Sequence, residues 1–96
     1  MKKPEECTSI DEVRAAMDAI DKDILQLLGQ RFGYVKEVVK FKKESGDIVA
    51  QSRYDAVLKS RREWAVANHL NPDVIEQVYR ILMNHFIDEE HKILKK

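Results

Sequence analysis

Two charges stand where apolar residues belong. Arg31 falls between Leu27 and Tyr34 in a row that otherwise reads Ile10, Val13, Met17, Ile20, Ile24, Leu27, Tyr34, Val38 and Phe41. Glu90 follows Phe86 by four residues and precedes Ile93 by three in a second row. A guanidinium in an apolar seam is costly unless an anion meets it. Two partners suit Arg31. One is Glu90, in a buried ion pair that merely holds the fold. The other is a dianionic small molecule gripped by guanidinium forks.

Two further cations bear on the choice. Arg31 and Lys42 are eleven residues apart. On one helix they would differ by only ~20° in direction and ~16 Å along the axis. Side chains leaning toward each other would reach both ends of one small anion. Arg14 would lie ~25 Å from Arg31 and be turned by ~100°. An antiparallel pair of chains would bring Arg14 of one copy to Arg31 of the other, giving two symmetric cationic pockets. The plainer readings are a solvated Lys42, an Arg14 paired on the surface with Asp11 or Asp18, and a solvated Arg62 and lysine-rich tail. A cationic pocket without nucleophile or metal suits binding, or a reaction that needs only orientation and electrostatic stabilisation.

Other chemistries find little support. His69, His85 and His91 lack metal-ligand spacing, and the single cysteine, Cys7, has no second thiol to pair with. There is no glycine-rich phosphate loop and no nucleophile elbow. Asp88, Glu89 and Glu90 are consecutive, so on a helix they point in different directions. Neither metal nor cofactor is expected.

The elements that must position these residues read as all-α. The chain has 96 residues, three glycines and two prolines, too little turn material for an all-β fold. Seventeen basic and seventeen acidic side chains cancel, so no global field favours nucleic acid or a membrane surface. No apolar run approaches a ~20-residue membrane span, and the start MKKPEECTS lacks the apolar core of a signal peptide. The chain reads as one cytoplasmic domain, residues 1–96.

The first helix runs from Ser9 to about Glu44. Ser9 with Glu12 fits a capping box, and Gly46 is the stop. At 1.5 Å per residue it spans about 50 Å, against a diameter of about 30 Å for a compact chain of this size. The other residues cannot cover it, which predicts an obligate dimer. Gly29 and Gly33, each costing about 1 kcal/mol relative to alanine, are either tolerated or mark a close approach. Residues 45–52 form a loop ending near Ser52, a candidate cap with Asp55 three residues on. The second helix covers about Arg53 to Asn68, with Tyr54, Val57, Leu58, Arg61, Trp64 and Ala65 in its row. His69 and Leu70 turn the chain. Asn71, Pro72 and Asp73 start the third helix, which continues to about Lys95. Its inward face holds Ile75, Val78, Tyr79, Leu82, Met83, Phe86, Ile87 and Ile93.

The segments PEECTSIDEVRAAMDAID and QRFGYVKEVVKFK, and the stretch ending IDEEHK, carry a family resemblance across nearly the whole chain. The sequence resembles the all-helical chorismate mutase family, and more closely its isochorismate-pyruvate lyases of salicylate and siderophore pathways. The resemblance implies an intertwined homodimer of three-helix chains. Arg14 of one subunit and Arg31 of the other would bind the carboxylates of a small dicarboxylate substrate. Lys42 would contact the ether oxygen and the pyruvyl side, and the loop at 45–52 would close over the site with Arg53 assisting. Val35, Val38, Met83, Phe86 and Ile87 would shape the apolar walls, and Glu90 would join the catalytic set. The reaction would be pericyclic and free of cofactors.

Three departures refine this. Many mutases carry acids where this chain has Tyr54 and Ala50, which favours the lyase. At Glu90 the lyases have glutamine and some mutases glutamate. If Glu90 lines the site, activity should rise toward acid pH, and Glu90→Gln should remove that dependence. Three functions follow in order: an isochorismate-pyruvate lyase with weak mutase activity, a chorismate mutase, and a non-catalytic helical dimerisation module.

Overall fold

The computed structural model describes residues 2–42 and 50–95. They form a 3-10 turn at Pro4–Glu6, helix α1 at Ile10–Val38, a second 3-10 turn at Val39–Phe41, helix α2 at Gln51–Ala67 and helix α3 at Pro72–Leu94. No strand occurs among the described residues, as the scarcity of turn residues anticipates.

α1 begins as its first residues dictate. Ser9 Oγ accepts from the Glu12 N–H at 3.1 Å. Glu12 does not return the bond to Ser9, as a full capping box would. Its carboxylate accepts instead from the backbone N–H of Thr8 at 3.0 Å and from Lys2 Nζ at 3.2 Å. These donors, the backbone one foremost, hold the Glu12 carboxyl below its ordinary value. A carboxylate whose folded pKa is depressed adds stability that is present above its unfolded value and is lost as pH falls through the folded one. Thermal melts at falling pH should therefore show an acid-side loss of stability that is smaller in Glu12→Gln. An identical pH dependence in the two proteins would contradict this.

The end of α1 differs from expectation. The α-helix closes at Val38, short of Glu44, and the chain tightens into the 3-10 turn. The Lys42 N–H donates to the Val39 carbonyl at 3.0 Å, and Lys42 itself is extended, with φ −106° and ψ 127°. Helical phase therefore does not continue to Lys42. The expected stop at Gly46, and most of the 45–52 loop, lie outside the described residues.

α2 also starts before its expected residue. Ala50 is the N-cap and offers no side-chain bond. Ser52 is already inside the first turn, so it is not the cap. Asp55 accepts from Gln51 Nε2 at 2.9 Å. The far end of α2 closes in a Schellman motif: Leu70 N–H donates to Ala65 O at 2.8 Å and His69 N–H to Val66 O at 3.1 Å. That geometry puts His69 at φ 60°, a conformation that costs a Cβ-bearing residue about 1–2 kcal/mol. His69→Gly should raise stability by about 1 kcal/mol, seen as a melting temperature roughly 5 °C higher. An unchanged melt would mean that the imidazole repays the strain elsewhere. α3 starts as anticipated: Asn71 Oδ1 accepts from the Asp73 N–H at 2.8 Å and from the Val74 N–H at 3.4 Å, with Pro72 opening the first turn.

The chain divides into two compact units, Met1–Tyr34 and Val35–Lys96, with the division falling inside α1. In the second unit α2 packs along α3. Val57, Leu58 and Met83 form the core, with Tyr54 and Tyr79 packed against it. A polar seam flanks that core. Arg62 pairs with Asp73 at 2.8 Å and Glu76 at 3.2 Å, and Arg80 joins Glu76 at 3.1 Å. Arg62, expected to be solvated, is thus an interhelix tie. The bond to Asp73 is the chief cause raising its pKa, and the bond to Glu76 does the same for Arg80.

No residue of α1 is buried. Its apolar row stands open along its length, with Ile10 63%, Met17 53% and Leu27 61% exposed. Val78 and Trp64, expected inward on α3 and α2, are also exposed. A Cβ on Gly29 or Gly33 would meet nothing within 4 Å. The described chain therefore makes no close approach at either glycine.

Candidate active site

In the second unit the charged group of interest is the Lys42–Glu90 pair. Lys42 Nζ donates to Glu90 Oε1 at 3.2 Å, and the two side chains are only 17% and 7% exposed. Local structure explains how they meet. The Val39–Phe41 turn packs on α3 and buries Val39. This anchors the extended residue that follows. Glu90 lies on the inner face of α3, where Met83 is buried and Phe86 and Ile87 are half-buried. An acid so placed needs a cation, and a cation so placed needs an anion. The cation that the second unit brings to Glu90 is Lys42.

The expected apolar walls of this unit divide by burial. Met83 is buried and Val35, Phe86 and Ile87 are half-buried, whereas Val38 is 43% exposed. Arg53, third residue of α2, is exposed. Near it an open groove is lined by Gln51, Tyr54, Asn84, Ile87 and Asp88. Tyr54 Oη donates to Asn84 Oδ1 at 2.9 Å across the two helices. Sequence reasoning marked Tyr54 as a departure but missed Asn84. The available signal was an amide directly after Met83 on a helix whose inner face is apolar. Tyr54 spends its hydroxyl on a partner helix and packs its ring on the core, so it is a tie between helices as well as a groove wall.

Arg14 and Arg31 belong to the first unit. Arg31 is half-buried and Arg14 exposed. The surface pairs considered for Arg14 with Asp11 or Asp18 are not formed among the described residues. No group of three or more His, Cys, Asp or Glu side chains among the described residues could hold a metal ion. No described helix is long and apolar enough to cross a membrane.

The described residues thus give an all-helical fold with a largely buried lysine–carboxylate pair. The family model for chorismate mutase type II matches residues 13–91. The isochorismate pyruvate lyase of Pseudomonas aeruginosa is 39% identical over 92 residues, covering 96% of this chain and 91% of that protein. The T-protein of Haemophilus influenzae is 31% identical over 85 residues, and that of Enterobacter agglomerans 36% over 80. This chain spans only 22% and 21% of those two proteins. The chain belongs to the chorismate mutase type II family.

Proposed function

We propose that the chain is an isochorismate-pyruvate lyase. The observation that carries this reading is its likeness to the Pseudomonas lyase along almost the full length of both proteins. The likeness to the T-proteins takes in about a fifth of their length. In the reaction the C–O bond to the enolpyruvyl group breaks as a ring hydrogen moves to that group's methylene carbon. The ring becomes salicylate and the side chain leaves as pyruvate. All atoms come from the substrate, so the protein has to hold it in a reactive shape and stabilise the charge that develops on the ether oxygen.

Arg31 and Arg14 bind the two carboxylates, Arg14 coming from a second copy. Lys42 donates to the ether oxygen, and Glu90 holds Lys42 in place before the substrate arrives. Val35, Val38, Met83, Phe86 and Ile87 form the apolar surroundings, with Arg53 at the edge. Residues 1–96 act as a single domain in a homodimer. The open apolar row of α1 supports the dimer, because a row of this length left in water favours association.

A chorismate mutase is the second reading, favoured by the description of the family model itself. Both reactions use a dianion, so ligand-linked stability tests the pocket before turnover is measured. Salicylate with pyruvate should raise the melting temperature in a concentration-dependent way. A melt indifferent to both, and to chorismate, would contradict an active site here.

A further inference from the structure

The first turn of α2 is weakly held by its own residues. Ala50, the N-cap, offers no side-chain bond, and the first buried residue of the helix is Val57. Gln51 bonds Asp55 at 2.9 Å, which steadies the turn without fixing it against α3. A helix end in that condition frays and turns easily. Tyr54 supplies the missing tie. Its ring packs against the core of Val57, Leu58 and Met83, and its hydroxyl donates to Asn84 Oδ1 at 2.9 Å. Arg80 interacts with the same oxygen: Glu76 foremost, and the Tyr54 hydroxyl as well, raise its pKa. With a cation attracted to its lone pairs, the hydroxyl turns its proton to Asn84.

Arg53 precedes Tyr54 by one residue, so its side chain leaves the helix about 100° away from that of Tyr54. It is exposed. Whatever fixes the rotation of this turn on α3 therefore fixes the direction in which the Arg53 guanidinium is presented. The turn also borders the proposed site. Gln51 and Tyr54 line one groove with Ile87, itself one of the apolar walls assigned to the substrate. A tyrosine hydroxyl has one proton to give, and here Asn84 receives it. Tyr54 is therefore suited to placing a neighbour and not to donating to a substrate.

We propose that Tyr54 is a positioning residue: through its bond to Asn84 it seats the first turn of α2 on α3 and so sets where Arg53 meets the substrate. This rests on the enzyme reading of the preceding section, with Arg53 at the edge of the site.

The test is steady-state kinetics on the full chain with isochorismate and with chorismate, the faster substrate of the wild type being used for the variants. Tyr54→Phe keeps the ring and removes the bond. It should raise KM about fivefold, the loss of one ordinary hydrogen bond, and leave kcat within about twofold. Asn84→Leu should do the same, whereas Asn84→Asp, which keeps an acceptor, should retain the wild-type KM. Arg53→Gln should raise KM at least as much as Tyr54→Phe, and adding Tyr54→Phe to it should raise KM no further. A purely structural tie would lower the melting temperature of Tyr54→Phe and leave KM unchanged. That result, or additive effects of Tyr54→Phe and Arg53→Gln, would overturn the proposal while the enzyme reading stands. If Asn84→Leu fails to fold, the cycle of Tyr54→Phe with Arg53→Gln decides alone. A folded wild type that turns over neither substrate would overturn the enzyme reading and the proposal with it.

Discussion

Lys42→Met should lower kcat/KM for the proposed substrate by at least about a hundredfold, the usual cost of removing one preorganised donor from a developing oxyanion. It should also destabilise the protein. Glu90 is 7% exposed at its side chain and pairs with Lys42 at 3.2 Å. Without Lys42 a buried carboxylate loses that cation, at a cost of about 3 kcal/mol. The two effects can be separated. In the double variant Lys42→Met with Glu90→Gln, the uncompensated charge is gone, so stability should return while turnover stays low. Steady-state kinetics and thermal melts on the four proteins of this cycle would check it. A double variant that recovers both would make Lys42 a structural cation only. Glu90→Gln alone keeps an acceptor for Lys42 and removes the competing charge. It should hold its fold.

Arg31→Ala should be severe in activity. The expected loss in kcat/KM is about a thousandfold, because a carboxylate of the substrate loses both its clamp and its orientation. If Arg31 served the fold through Glu90 alone, the opposite would be seen: a lower melting temperature with turnover intact. This comparison of kinetics with melting separates the enzyme from a helical dimerisation module.

Much of the architecture was legible because helices announce themselves locally. Asn71, Pro72 and Asp73 fix the start of α3 through bonds made within one turn, and Ser9 does so for α1. The misplaced boundaries are those set by non-local packing. The 3-10 turn at Val39–Phe41 follows from seating Val39 against α3, which no periodicity in the first helix could reveal. With that turn, Lys42 leaves the helical register, and its place beside Glu90 becomes a tertiary fact. The oddity of Glu90 in its apolar row was visible, whereas its bond to Lys42 was not. Arg62 looked solvated because its acids, Asp73 and Glu76, are eleven and fourteen residues away. Val78 and Trp64 fit an inward period yet stand exposed in the single chain, as does the row of α1. Amphipathic spacing reports that a face wants burial and does not say by whom.

The central claim is the choice of reaction, and a paired assay tests it most directly. Purified protein would be given isochorismate and chorismate at equal concentration. Salicylate would be read by its fluorescence, and prephenate after acid conversion to phenylpyruvate. The account predicts salicylate as the dominant product, with prephenate a minor one. Prephenate in excess would contradict it and make the protein a mutase, in which Glu90 outweighs the absence of acids at Ala50 and Tyr54.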